Sequence, residues 1–307
     1  MRIVYLGTPD FSIEPLKKIH ENTAHEIIAV VCNKDKPVGR KKILTPPPVK
    51  QYAISKNIPV YQYDKIRVEG VEDLKSLNPD LMITCAFGQI LSQEIIDIPK
   101  LGVINIHASL LPKYRGASPI HYAILNGETK TGVTIMKTDI GIDTGDVLFS
   151  EETDVSKDET CGQLFEKLSI LGANCIEKAL EMIENGSAKF TPQDHDKATY
   201  TKIIKKEDAF IDWTRNAIDI YNQVRAFNPA PVAFTIYNGL PFKIFECEVV
   251  KCNGNAGEVV SSNKELIVAC GNDALSLKVV QKAGSNKVNI KDFLLGNKVE
   301  KGFVFGK

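Results

Sequence analysis

No apolar stretch among the 307 residues approaches the roughly 20 residues that span a bilayer, so we expect no association with a membrane. Paired cysteines are also absent: the seven cysteines are scattered, and none forms a C-x-x-C pair. That pattern argues against a disulfide framework and against a cysteine zinc site. We therefore expect a reduced, cytoplasmic protein without a metal, in which most thiols are small core residues.

The chain also lacks a net charge, because 38 Lys and Arg residues balance 38 Asp and Glu residues. This balance argues against a protein that coats nucleic acid indiscriminately. The charges are unevenly placed, since residues 34–50 carry six Lys or Arg and one Asp, and residues 278–307 carry seven Lys and two acidic residues. Two basic patches on a neutral chain indicate one specific polyanionic partner.

Two nucleotide-binding signatures are missing. Gly7 follows the first apolar run, as a glycine does in nucleotide-binding folds, but neither G-x-G-x-x-G nor G-x-x-x-x-G-K-[ST] follows it. A dinucleotide or nucleoside triphosphate cofactor is therefore not expected. We interpret Gly7 as a tight turn between a strand and a helix.

The first half of the chain alternates short apolar runs with helical patterns. Near-continuous aliphatic and β-branched runs are typical of a parallel sheet covered on both faces by helices, and ligands of such sheets bind beyond the carboxyl ends of the strands. A closing helix is predicted over residues 160–186, where apolar side chains recur at steps of three and four. We therefore predict an α/β, Rossmann-like domain with a mostly parallel sheet at residues 1–189. The predicted strands lie at residues 2–7, 26–33, 80–87, 102–107 and 132–137.

The second half of the chain differs in kind. Residues 190–205 lack clean periodicity and are predicted to be a linker, and residues 213–228 are predicted to form one helix that Pro229 stops. The remaining apolar runs are short and separated by Gly, Asn and Pro turns, which predicts a small β-barrel. We place this C-terminal domain at residues 206–307.

The polar end of the predicted strand at 102–107 is the first candidate site. Side chains at i and i+2 of a strand point to the same face, so Asn105 and His107 should project together. An amide donor and an imidazole at a strand's carboxyl end can stabilise negative charge on a carbonyl oxygen, as acyl transfer requires. Taken alone, the pair is also compatible with a polar strand end whose histidine bonds the backbone.

The second candidate is the acidic stretch at residues 139–146. Asp143 has a glycine two residues away on either side and is the carboxylate best placed to approach an imidazole and set its tautomer. A solvated acidic turn is the alternative. Metal binding is not predicted, because Asn-x-His with one Asp lacks a usual ligand spacing.

The basic stretch at residues 34–50 is the third candidate. It follows a predicted strand, contains four prolines and is too polar for a core. Segments of this length without secondary structure of their own are usually functional or disordered. Arg40, Lys41 and Lys42 can reach phosphates or a base edge, and a solvated charge run is the alternative.

Together these residues resemble a known family. "NIHASLLPKYRGASP" (105–119) is similar to the signature of the folate-dependent formyltransferases, in which Asn-x-His precedes a Ser-Leu-Leu-Pro loop, and "GIDTGD" (141–146) is similar to that family's Asp-bearing loop. "GTPDFS", "DKPVGRKK", "CAFGQIL" and "DWTRNA" further resemble the members that act on an aminoacylated tRNA. The likeness runs nearly from end to end. It departs where "GRKKIL" lacks a further Gly after Arg40, and where Ala230 replaces a common Trp.

The resemblance implies a reaction and a set of site residues. The fold would be the formyltransferase fold followed by an OB-like barrel that supports tRNA. A formyl group would pass from 10-formyltetrahydrofolate to the α-amino group of methionyl initiator tRNA, without a metal, and we expect a monomer. Asn105, His107 and Asp143 would be the catalytic group, and Arg40, with Lys41 and Lys42 beside it, would contact tRNA. The residues that would border the folate are Ser109, Leu110, Leu111, Pro112, Phe87, Gly88, Gln89, Ile90 and Leu91.

Three alternatives stay open. A formyltransferase acting on a nucleotide-linked amino sugar would have a similar catalytic half, although it would not need the basic stretch at 34–50. Hydrolysis of 10-formyltetrahydrofolate would use water as the acceptor. A non-catalytic tRNA-binding module would explain the barrel and the basic patches, but not the catalytic group as a set. Arg115, inside the signature, is compatible with binding the substrate or with holding its own loop.

Overall fold

The structure, a computed structural model, describes residues 1–39 and 41–306 of the chain. No helix in this described part is both long and apolar enough to cross a membrane. The chain divides into two compact units. The first consists of Met1–Pro119, Lys130–Asp154 and Phe165–Lys202, and the second of Ile120–Thr129, Val155–Leu164 and Ile203–Lys307.

The first unit is built on a seven-stranded sheet. The strands of this unit are β1 (Arg2–Gly7), β2 (Glu26–Cys32), β3 (Lys36–Val38), β4 (Ile43–Thr45), β5 (Val60–Gln62), β6 (Leu81–Cys85), β7 (Val103–His107), β8 (Arg115–Gly116), β9 (Lys130–Lys137), β10 (Val147–Asp154) and β11 (Tyr200–Thr201). Of these, β3 pairs with β4 and β8 pairs with β11, outside the seven-stranded sheet. The sheet order is β10-β9-β7-β6-β1-β2-β5. Neighbouring strands from β7 to β5 are parallel, whereas β9 and β10 are antiparallel to their neighbours. The mostly parallel α/β fold is therefore confirmed.

The helices of the chain are α1 (Ile13–Asn22), α2 (Pro48–Ser55), α3 (Ile66–Glu69), α4 (Val71–Leu77), α5 (Gln93–Ile96), α6 (Pro119–Leu125), α7 (Cys161–Glu184), α8 (Ala217–Ala226) and α9 (Ile290–Gly296). The long helix α7 lies within the predicted range. Helix α8 begins later than predicted, because the Asp212 carboxylate accepts hydrogen bonds from the backbone N–H and the hydroxyl of Thr214 and forms a turn there.

The centre of the sheet is a continuous apolar core. In β1, four consecutive side chains from Ile3 to Leu6 are fully buried, as expected for a strand covered on both faces. The carboxyl ends of the parallel strands β1, β6 and β7 meet at one edge of the sheet. Polar side chains follow the apolar ones there, at Thr84, Asn105 and His107, so this edge carries the candidate site.

Residues of the predicted linker take part in the first unit as far as Lys202. Strand β11 pairs in parallel with β8, with Tyr200 opposite Arg115 and Thr201 opposite Gly116. A pairing of two residues is too short to produce a repeating pattern, which is why the sequence shows no periodicity here.

The second unit contains the predicted C-terminal barrel. Its strands are β12 (Phe234–Tyr237), β13 (Leu240–Val250), β14 (Val259–Ser261), β15 (Leu266–Ala269), β16 (Ala274–Lys282) and β17 (Val288–Asn289). They form an antiparallel sheet in the order β12-β13-β16-β15-β14, with β17 beside β16. The last residues bridge its two edges, since the Gly306 N–H donates to Ile236 O and the Val259 N–H donates to Phe303 O.

An aromatic cluster lies under this bridge, and the contribution of the cluster to stability can be tested. Phe305 is 3% exposed, and its ring centroid lies 5.6 Å from that of Phe242 and 5.7 Å from that of Tyr237. We expect Phe305→Ala to lower the free energy of unfolding of the second unit by roughly 3–5 kcal/mol, because it deletes a buried ring. Urea unfolding followed by the fluorescence of Trp213, the single tryptophan, measures this change. Leu295→Ala is the control, since that side chain is 89% exposed, and equal losses in both variants would contradict the prediction.

Candidate active site

Asn105 is oriented by a neighbouring strand. It lies near the end of β7, and its Oδ1 accepts a hydrogen bond of 2.9 Å from the Thr84 hydroxyl on β6. With the oxygen engaged, the amide NH2 group is directed elsewhere, and Nδ2 lies 3.5 Å from Asp143 Oδ1. The sheet therefore presents Asn105 as a hydrogen-bond donor.

His107 ends the same strand and is buried. Its Nε2 lies 3.0 Å from the backbone oxygen of Tyr114. A carbonyl oxygen can only accept a hydrogen bond, so Nε2 carries a proton. The other ring nitrogen, Nδ1, faces Asp143 Oδ2 at 3.6 Å. The imidazole thus turns its unengaged nitrogen towards the carboxylate.

Asp143 occupies a turn between β9 and β10 with a backbone φ of 52°, in the left-handed region. Its Oδ2 accepts a hydrogen bond of 2.7 Å from the Gly116 N–H. The flanking Gly145 allows the turn to pack closely against the end of β9, because a Cβ at this position would lie 2.0 Å from Lys137 O. The structure therefore brings all three residues of the predicted catalytic group together.

The contacts within this group are longer than the contact that anchors it. The two distances from Asp143 to Asn105 and His107 are 3.5 and 3.6 Å, against 2.7 Å to the Gly116 N–H. Hydrogen bonds of catalytic groups often tighten only when the substrate is bound. The arrangement offers a carboxylate that can accept a proton, set between an amide donor and an imidazole.

A thiol nucleophile is not available beside this group. Cys85 ends β6 and is fully buried, and burial raises the pKa of its thiol to about 12. The reactive form of cysteine is the thiolate, which is scarce at neutral pH for such a group. Across residues 1–39 and 41–306, no cluster of three or more His, Cys, Asp or Glu side chains could hold a metal ion.

The Ser-Leu-Leu-Pro loop follows β7 directly. Ser109 is fully buried and its hydroxyl donates to Lys113 O at 2.6 Å, so this side chain shapes the loop. The Leu111 N–H donates to the Thr134 hydroxyl on β9 at 3.2 Å. Leu110, Leu111 and Pro112 are half-buried, which leaves part of each apolar side chain accessible.

In the segment after β6, residues 87–91, some side chains are buried and others are exposed. Phe87 and Leu91 are buried in the core, whereas Gly88 and Ile90 are exposed. Gln89 is tied inward: its Nε2 donates to Asn33 Oδ1 at 2.8 Å, and its Oε1 accepts from the Ile66 N–H at 2.8 Å. Of the five predicted folate-bordering residues in this segment, Gly88 and Ile90 are therefore the most accessible.

The basic stretch forms structure of its own. Strands β3 and β4 pair as an antiparallel hairpin, and helix α2 begins at Pro48. Strands of three residues that pair only with each other give no clear sequence pattern, so the expectation of a segment without secondary structure was wrong. Arg40 lies outside the described residues. Lys41 and Lys42 are exposed at the turn, where the Lys42 N–H donates to Gly39 O.

The base of this hairpin is anchored by charge. Lys50 Nζ donates to both oxygens of Asp35 at 2.8 and 2.9 Å, and this hydrogen bonding lowers the pKa of the Asp35 carboxyl. Lys34 pairs with Asp64 at 2.5 Å. In the described part of the hairpin, Lys36 on β3 and Lys41 and Lys42 at the turn are exposed and have no carboxylate partner, so the unneutralised charge extends from β3 to the turn.

Gly116 and Gln193 contribute to the site without having been predicted, and the role of Arg115 had been left open between two alternatives. A Cβ on Gly116 would lie 2.6 Å from Thr201 O, and its φ is 105°, so only glycine fits where its N–H reaches Asp143. Arg115 is fully buried and contacts protein groups, which favours holding the loop over binding the substrate. Gln193 lies in the predicted linker, where no sequence signal pointed to it.

Comparisons with known proteins show the family of the chain. The family model described as "Formyl transferase" matches residues 1–180, and that described as "Formyl transferase, C-terminal domain" matches residues 203–298. The chain is 43% identical to the methionyl-tRNA formyltransferase of Acetivibrio thermocellus, over 100% of both chains. It is 45% identical to that of Bacillus subtilis, over 99% of this chain and 98% of the relative.

A solved structure shares the fold at lower identity. The N-formyltransferase from Helicobacter canadensis, in complex with folinic acid and dTDP-3-aminofucose, superposes with a TM-score of 0.69. It is 21% identical, and the match covers 92% of this chain and 99% of that one. At that identity the likeness concerns the fold alone.

Proposed function

Since the chain belongs to the formyl transferase family, we propose that it transfers a formyl group to the α-amino group of methionyl initiator tRNA. Relatives named methionyl-tRNA formyltransferase that align over its whole length support this acceptor. The structural observation that carries the proposal is the Asp143 carboxylate, which lies within 3.6 Å of both the Asn105 amide and the His107 ring.

The formyl donor in this proposal is 10-formyltetrahydrofolate. The edge of the sheet fits a flat, partly apolar ligand, because Leu110 and Leu111 are half-buried there and Ile90 is 67% exposed. Gly88 adds a backbone position without a side chain. These residues would border the donor, whereas the buried Ser109 would shape the loop that carries them.

When bound, 10-formyltetrahydrofolate supplies the formyl carbon, to which the neutral amine adds. Negative charge forms transiently on the formyl oxygen, and N10 then leaves with a proton. The Asn105 amide is held as a donor for that oxygen. His107 is the second donor, and Asp143 Oδ2 faces its Nδ1 at 3.6 Å. Asp143 also accepts the proton that the amine loses and passes it on towards the leaving nitrogen. Fixed donors of this kind contribute on the order of 10²–10³ each in rate.

Replacement of the imidazole tests these roles. We expect His107→Ala to lower kcat for formylation by on the order of 10²–10³, because it removes a donor to the developing charge. The chain should remain folded and keep its affinity for tRNA, although the loss of a buried side chain lowers the melting temperature. His20→Ala, on α1, is the control and should retain wild-type turnover. Near-normal turnover of His107→Ala would contradict the mechanism.

The acceptor is tested by following consumption of the donor by the full chain. We expect consumption with methionyl initiator tRNA, because its α-amine is the proposed nucleophile, and none with uncharged tRNA or without an acceptor. Formylation of an amino-sugar nucleotide in place of the tRNA would favour that alternative. Consumption without any acceptor would indicate a hydrolase, and tRNA binding without consumption would indicate a binding module.

The contacts with tRNA are the last part of the proposal. We assign them to Lys41 and Lys42 at the hairpin turn, to Arg40, which lies outside the described residues, and to the C-terminal domain placed at residues 206–307. The described lysines of the turn are exposed and without carboxylate partners, and the hairpin base is fixed by the Lys50–Asp35 pair. Exposed cations on a fixed support suit phosphate contacts, which position a nucleic acid.

A salt titration tests this assignment. Each phosphate contact that is lost should reduce the slope of log Kobs against log salt by about 1, so Lys41→Ala with Lys42→Ala should reduce it by about 2 and weaken binding evenly across tRNAs. Lys100→Ala is the control, because Lys100 is exposed but lies outside the hairpin. An unchanged slope in the double variant would contradict the assignment.

A further inference from the structure

Arg115 is a buried cation with neutral partners. It is fully buried, and its Nε and Nη2 donate to Gln193 Oε1 at 3.1 and 2.7 Å. Nη1 and Nη2 both lie 3.2 Å from His195 Nδ1, and Nη1 lies 3.4 Å from the Tyr200 hydroxyl. Buried charges are usually paired, yet no carboxylate among the described residues pairs with this guanidinium. Its hydrogen bonds are therefore directed at fixing neutral groups.

The group that Arg115 fixes most directly is the amide of Gln193. Guanidinium has only donors, so the amide must turn its oxygen towards Arg115 and its nitrogen away. That nitrogen, Nε2, donates to Asp143 O at 2.9 Å and to Gly145 O at 2.7 Å. The side chain of Gln193 is thus a bridge from Arg115 to two backbone oxygens of the turn that carries Asp143.

The backbone around Arg115 contacts the same site from the other side. The Gly116 N–H donates to the carboxylate of Asp143, and the backbone oxygen of Tyr114 accepts from His107 Nε2. Three successive residues therefore hold the imidazole, the carboxylate and, through Gln193, the backbone of Asp143.

Asp143 needs this support because of its backbone conformation. Its φ of 52° lies in a region that residues other than glycine seldom occupy. Such conformations cost on the order of 1–3 kcal/mol and persist only where the surroundings over-determine them. The two hydrogen bonds from Gln193 act on this turn itself.

We propose that Arg115, acting through the Gln193 amide, is a positioning residue that holds the Asp143 carboxylate in register with Asn105 and His107 for formyl transfer. The role rests on the proposed function. Misplacement of a reacting group by about 1 Å can cost on the order of 10² in rate, so loss of this bridge should reduce turnover without removing any group that contacts substrate.

Gln193→Glu separates the two ends of the bridge. A carboxylate at this position still accepts from Arg115, so that contact survives, but it cannot donate to Asp143 O and Gly145 O. We expect kcat for formylation to fall by about 10–100-fold, with the KM values for methionyl-tRNA and for the donor within about twofold of wild type. A fall in stability alone, with kcat preserved, would overturn the proposal.

The second unit offers a matched control. Gln223 is also buried, and its Nε2 also donates to two backbone oxygens, those of Asp208 at 2.9 Å and Phe210 at 3.1 Å. Gln223→Glu removes two hydrogen bonds of the same kind in the second unit, whereas the catalytic group belongs to the first. It should alter the melting temperature without a comparable loss of kcat, and an equal loss in both variants would overturn the proposal.

A readout that does not depend on turnover completes the test. The Gly116 N–H is hydrogen-bonded to the Asp143 carboxylate, so hydrogen exchange at that amide, measured by NMR on the full chain, reports where the carboxylate lies. We expect exchange at least tenfold faster in Gln193→Glu and unchanged in Gln223→Glu, and unchanged protection in both would overturn the proposal. A wild type that fails to formylate methionyl-tRNA would instead refute the proposed function, and the exchange comparison would still decide whether Gln193 holds Asp143.

Discussion

The hydrogen bond from the Gly116 N–H to the Asp143 carboxylate is the contact on which the rest of the site depends. It joins the loop that follows β7 to the turn between β9 and β10, and it is the shortest contact the carboxylate makes. Only glycine can occupy position 116, because a Cβ there would meet Thr201 O at 2.6 Å. The pairing of β8 with β11 thus requires glycine at the position whose N–H reaches the carboxylate.

The parts of the site that could be predicted from the sequence are those set by local periodicity. Asn105 and His107 share a face because side chains alternate along a strand, and the apolar run before them places that strand inside the sheet. The resemblance to a family then linked them to Asp143, which no spacing rule could have done. Chain distance alone does not place a turn 36 residues beyond His107 against its ring.

The parts that could not be predicted depend on pairings between distant segments. Gln193 lies 50 residues after Asp143 in a stretch without periodicity, and its role arises from side-chain hydrogen bonds with Arg115 and with the turn that carries Asp143. The basic hairpin was hidden for a different reason, because its two strands are only three residues long. The sequence also gives the position of a residue without the direction of its side chain. Ser109 and Phe87 were therefore predicted to border the folate, whereas both side chains are buried.

The two kinds of charge in the first unit follow different physical rules. Around Asp143, nearly every polar group has a partner within the protein, because donors that stabilise a developing charge work best when they are fixed before the reaction. At the hairpin turn, Lys41 and Lys42 are exposed, and no carboxylate among the described residues pairs with them. This suits the proposed contacts with a polyanion, because such contacts gain from releasing its counterions and need no buried geometry. Arg115 belongs to the first kind although it is a cation within the signature loop. Its burial removes it from a phosphate or a carboxylate of the substrate, and its fixed donors can act only on the protein, through the amide of Gln193.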